Sequence, residues 1–150
     1  VLSKDEACER LRLDRDRLLV AYHDSSTMVV PGPRSQGLQT VRDVVAHVAM
    51  WDEIVLAAIT GHQLGRTHWS VDPRWAGDGA ALNEGGIASG RLLPEPLVLQ
   101  RFLDARDLLI DTLAITAWDS GFSAFCEDLN TPELPGTPYC HGTAHLKVTK

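Results

Sequence analysis

The strongest constraint on this chain is a stretch of about 20 residues, Thr40 to Gly61, with no internal turn residue and apolar side chains on a helical period. Val41, Val44, Val45, Val48, Val55, Leu56 and Ile59 fall on one 3.6-residue repeat. The β-branched content argues for a strand, but the length and the clean ends argue for a helix. Thr40 supplies an N-cap with Asp43 three residues on, and Gly61 offers a C-cap.

Three further helical patterns follow. Ser3 and Glu6 have capping-box spacing, and Ala7, Leu11, Leu18 and Tyr22 continue helically to about Asp24, with a polar gap at Asp14 and Arg15. Pro31-Gly32-Pro33 then marks a loop. Leu93-Pro94-Glu95-Pro96 opens a helix striped by Val98, Phe102, Ala105, Leu109 and Leu113. Thr137-Pro138 opens a last short helix carrying Tyr139, His141, His145, Leu146 and Val148. Between them, residues 61–79 read as a connection and residues 118–136 as loop. Residues 80–91 are ambiguous, because Gly85, Gly86 and Gly90 weaken a helix. Four helical patterns and no convincing strand predict an all-α domain, most simply a four-helix bundle, spanning the whole chain.

Composition narrows the function classes. Lys and Arg number 14 against 20 Asp and Glu. That acidic balance, with no basic run, argues against nucleic acid as a partner. No uninterrupted apolar run of about 18 residues is present, so no membrane partner is expected. The first residues lack an apolar signal core, and the three cysteines, Cys8, Cys126 and Cys140, match no zinc ribbon. A reduced, cytoplasmic setting is the expectation.

Histidine carries the chemical signal. His141 and His145 form an H-x-x-x-H pair, which on a helix puts two imidazoles on one face about 6 Å apart. His47 sits inside the apolar second helix, where a buried imidazole needs partners. From periodicity alone, the favoured reading of His47 is a core histidine bonded to a backbone carbonyl, or one at the rim of the stripe.

The run Thr40-Val41-Arg42-Asp43-Val44-Val45-Ala46-His47-Val48-Ala49-Met50-Trp51-Asp52 resembles the second-helix motif of DinB-like proteins. That superfamily includes the N-terminal domain of mycothiol-dependent maleylpyruvate isomerases and the bacillithiol and mycothiol S-transferases. The resemblance implies a DinB-like four-helix bundle with a metal held by His47, His141 and His145. Residues Asp78 to Asn83, then Leu93-Pro94-Glu95 and the helix from Arg101 to Leu113, also resemble the superfamily's third-helix region. The chain departs from many relatives at Ala144, where they carry an acid, and Gly142 lies between the paired histidines.

Three imidazoles leave an open coordination position, the catalytic rather than the structural pattern, and suit Zn, Ni or Fe. The resemblance implies a transferase using a low-molecular-weight thiol such as mycothiol, or a hydrolase, acting on a small electrophilic substrate. Asp52 is the candidate general base, with a solvated surface role as the alternative. Trp51, Trp69, Trp75 and Asn83 are the candidate substrate-binding residues. Arg34, Arg66, Arg74 and Arg91 are candidates to meet an anionic thiol. His62 and His68 read as solvent-facing loop residues. A second function on the same bundle is metal-independent binding or opening of a reactive natural product, as in the related self-resistance branch. A homodimer is common in the resembling family.

Overall fold

The computed structural model describes residues 3–30, 39–75 and 78–128. The described chain is all-α, with five helices: α1 (Lys4–Ser25), α2 (Val41–Gln63), α3 (Gly79–Leu92), α4 (Glu95–Ile115) and α5 (Ser120–Asp128). A two-residue antiparallel ladder, β1 (Val29–Val30) with β2 (Gln39–Thr40), closes the connection between α1 and α2. The ladder leads straight into the α2 cap. There the Asp43 N–H donates to Thr40 Oγ1 at 3.1 Å and the Thr40 N–H donates to Asp43 Oδ2 at 3.2 Å. Two orphan donors are satisfied reciprocally.

α2 is the central helix. From Val41 to Ala49 it is buried on nearly every side, packed on α4 and α3 and flanked by α1. An apolar helix surrounded this way needs no polar face. By length and composition it also meets the measure of a membrane-crossing helix, with a mean hydropathy of 1.5. Asp43, His47, Asp52 and Glu53 interrupt it, so it holds no unbroken apolar run of about 18 residues. A buried share of 56% places that stretch in the bundle core.

α2 does not stop at Gly61. It runs on to Gln63 and closes at Gly65, whose φ of 71° is the left-handed conformation glycine adopts without a Cβ clash. The Gly65 N–H bonds the His62 carbonyl and the Arg66 N–H bonds the Gly61 carbonyl, a Schellman closure. Gly61 is thus a carbonyl acceptor three residues inside the cap.

The core has two hydrophobic clusters. One joins Ala7, Cys8 and Leu11 of α1 to Val55 and Ile59 of α2, Leu109 and Leu113 of α4, and Phe122 and Phe125 of α5. The other joins Leu18 and Tyr22 to the first half of α2 and to Val98 and Phe102. These pairings run α1 antiparallel to α2 and α4.

Two elements differ from the sequence expectation. Residues 79–92 form a full helix despite their glycines. A Cβ on Gly90 would lie 2.5 Å from the Ala46 Cβ, and one on Gly86 would lie 2.6 Å from the Met50 Sδ. These two glycines let α3 lie against α2, and that packing offsets their poor helix propensity. Residues 120–128 form α5 where a loop was expected. Asp119 caps it, its Oδ1 accepting the Phe122 N–H at 2.8 Å, and Phe122, Phe125 and Cys126 are buried. The signal was local and brief: Phe122, Phe125 and Cys126 stand at i, i+3 and i+4 within only nine residues.

Candidate functional site

α2 contributes three of the residues singled out by sequence: His47, Trp51 and Asp52. His47 is 1% exposed, inside the most enclosed part of the helix. His141 and His145, and with them Cys140 and Arg34, lie outside the described residues. Among the described residues no group of three or more His, Cys, Asp or Glu side chains is placed to hold a metal.

Asp52 is not on a solvated face. It is 1% exposed, and both its carboxylate oxygens face Arg106, which is fully buried. Arg106 Nε donates to Asp52 Oδ2 at 2.7 Å and Nη2 to Oδ1 at 3.4 Å. Arg106 Nη1 donates to Asp14 Oδ2 and to the Leu11 carbonyl, both at 3.0 Å. Its guanidinium carbon lies 5.2 Å from the Phe102 ring centre. The three charges form a single layer between the two hydrophobic clusters. Burial pushes the Asp52 carboxyl up, with Arg106 opposing it and Asp14 adding to it. For Arg106, burial works against the charge, but Asp52 and Asp14 outweigh it and hold the guanidinium protonated. Acting as a general base would require the Asp52 carboxylate to leave Arg106 and reach a substrate proton. Asp14 and Arg106 were missed by sequence reasoning, although a signal existed: each occupies an apolar-stripe position on its helix.

The aromatic candidates divide into two places. Trp51 Nε1 donates to Asn83 Oδ1 at 2.7 Å, so α2 and α3 bring those two residues together. Asn83 is buried, and the bond satisfies a buried amide oxygen. Trp69 and Trp75 meet on the α3 flank instead. With Asp78, Ala81 and Leu82 they line an open, mostly apolar groove of about 490 Å³. Trp69 begins a single 3₁₀ turn, Trp69–Val71, capped by His68, whose Nδ1 accepts the Ser70 N–H at 3.3 Å. Burial lowers the His68 pKa. His68 and His62 are half-buried rather than solvent-facing, and His62 stacks on Phe125 with ring centres 4.3 Å apart.

Two of the candidate anion-binding arginines are already paired. Arg74 donates from Nη2 to Asp72 Oδ2 at 2.8 Å and from Nε to Oδ1 at 3.2 Å. That hydrogen bonding holds the Asp72 carboxyl below its ordinary range. Arg91 donates from Nε to Asp43 Oδ1 at 3.1 Å and from Nη2 to Gln39 Oε1 at 2.9 Å. Arg66 is exposed. Arg42 is spent inside the fold, Nη2 donating to the Gly90 and Leu93 carbonyls at the C-terminal end of α3.

No family model matches the chain, and no curated protein or solved structure does so either.

Proposed function

We propose that this chain is a metal-dependent enzyme on a DinB-like bundle, a thiol S-transferase or hydrolase acting on a small electrophile. His47, His141 and His145 would hold the ion. The observation that carries the reading is His47 itself, an imidazole 1% exposed in the middle of the central helix, within the motif that resembles the superfamily's ligand helix. Imidazole is a donor suited to Zn, Ni or Fe, so the residue type fits the group. Bound by three histidines, such an ion supplies an open position at which a water or thiol is acidified. The chain's own contribution is to bury His47 within the central helix, to fix Trp51 through Asn83, and to offer the Trp69–Trp75 groove for the substrate's apolar body.

Elemental analysis of untagged protein tests this, beside His47→Gln and His145→Ala variants. About one transition-metal ion per chain, lost in both variants while far-UV circular dichroism is retained, is the expected result. No metal after dialysis against Zn or Ni overturns it.

A second reading, metal-independent binding of a reactive small molecule, is favoured by one observation. Trp69 and Trp75 are 38% and 48% exposed, unusually open for large aromatic side chains that share a groove. Ligand-induced quenching of tryptophan fluorescence that survives chelation supports it; quenching abolished by chelation returns the assignment to the metal.

A further inference from the structure

The groove beside α3 has an electrostatic character that the metal reading does not use. Among the described residues its walls are two indoles and the aliphatic side chains of Ala81 and Leu82, and the one ionisable group in its lining is Asp78. Asp78 is exposed at the N-cap of α3, yet among the described residues its side chain makes no capping hydrogen bond, so the carboxylate is left for another partner. The nearest guanidinium in sequence, Arg74, is balanced by Asp72. That guanidinium lies 5.7 Å from the Trp75 ring centre and takes up one face of it, while Trp75 remains 48% exposed. Asp72, Arg74 and Asp78 together sum to one negative charge, on a chain with 20 acidic against 14 basic residues. Tryptophan faces are the best aromatic partners for a cation, and a carboxylate at the rim adds Coulomb attraction.

We infer that the groove of Trp69, Trp75, Leu82 and Asp78 binds a small organic cation, an ammonium group carried on an apolar body. The indole faces hold the ammonium and its methyl or methylene groups, Leu82 and Ala81 cover the apolar part, and Asp78 selects the charge. An anionic ligand would meet the Asp78 carboxylate in the same place, and no cationic side chain lines it among the described residues. The inference rests on reading the groove as the place where the small molecule sits, and adds the ligand's charge to it.

Three isosteric probes decide the matter: choline, the neutral 3,3-dimethylbutan-1-ol and the anionic 3,3-dimethylbutanoate. Binding is followed by tryptophan fluorescence and by the indole N–H resonances of the intact chain. Choline should bind about tenfold more tightly than the alcohol, with the carboxylate weakest. Asp78→Asn should reduce choline affinity about threefold to fivefold and leave the alcohol unchanged. Trp75→Ala should weaken choline and the alcohol alike. If the alcohol binds as tightly as choline, the charge selection is overturned while the groove still stands as a binding surface. If no probe shifts Trp69 or Trp75, the groove reading falls with it. Metal content measured on the same samples stays independent of either result.

Discussion

α2 meets its two main neighbours in opposite ways. Toward α4 it presents full-sized side chains and one deeply buried charge, Asp52, and every helix in that contact brings a matching residue: Phe102, Leu109 and Arg106 from α4, Leu11, Leu18 and Asp14 from α1. Toward α3 it presents Ala46 and Met50 to glycines, with hydrogen bonds at the margins from Trp51 to Asn83 and from Arg91 to Asp43. The first contact is thick and closed. The second is thin, and the Trp69–Trp75 groove lies along the first turns of the same α3. Charge in the first is consumed by the fold, as is the Asp43–Arg91 pair at the margin of the second, whereas Asp78 beside the groove makes no capping hydrogen bond among the described residues. Burial and pairing separate Asp52, which joins α2 to α4 through Arg106, from Asp78, which stays exposed.

The largest test of this contrast is Arg106→Met. It leaves Asp14 and Asp52 buried without their shared guanidinium, and should cost about 3–5 kcal/mol in urea unfolding. Adding Asp14→Leu and Asp52→Leu should recover most of that loss, since an apolar layer of similar volume is often as stable as a buried ion triad. If the single variant unfolds like the parent, the layer is not the organising feature of the α2–α4 contact.

On the other side, Gly90→Ala should destabilise by about 1–3 kcal/mol, because its Cβ collides with Ala46 and overpacking outweighs the gain in helix propensity. Ala46→Gly in the same chain should relieve it. Gly85→Ala, on the open side of α3 where an added Cβ meets nothing within 4 Å, should stabilise by up to about 1 kcal/mol. Equal effects at Gly85 and Gly90 in thermal unfolding would mean that the α3 contact is looser than its geometry states.

The smallest effect belongs to Asp43. Burial raises its pKa, but hydrogen bonds from Arg91 and Thr40 outweigh that and hold the carboxyl below its ordinary value. A depressed folded-state pKa stabilises above the unfolded value and is lost as pH falls through the folded one. Asp43→Asn should therefore cost about 0.5–1 kcal/mol at pH 7, a figure kept low because Arg91 is largely exposed. The gap to the parent should begin to narrow below about pH 4 and be lost as pH falls through the depressed folded-state pKa. A gap that does not narrow at all below about pH 4 would show that the amide disturbs the Thr40 cap itself.

Periodicity and caps were enough to locate α1, α2 and α4, because long amphipathic runs with Ser3, Thr40 and Pro96 at their starts have few other ways to fold. Trp51, Asn83, Trp69 and Trp75 were each recognisable as candidate binding residues, but not their division into a hydrogen-bonded pair and a groove. α3 was obscured by its glycines, whose local cost is visible in sequence and whose close approach to Ala46 and Met50 is not. Asp14 and Arg106 stood on apolar stripes as apparent exceptions. Their meaning required three helices at once, because a buried charge is tolerable only when the opposite charge arrives from elsewhere in the chain.

Local physics, from hydrophobic period to capping chemistry and turn residues, was thus written along the chain and determined which segments are helical. Tertiary structure alone decided which polar residues face each other. That choice placed Asp52 in the core as the partner of Arg106 and left Asp78 at the rim of a groove, since desolvation and pairing depend on neighbours distant in sequence.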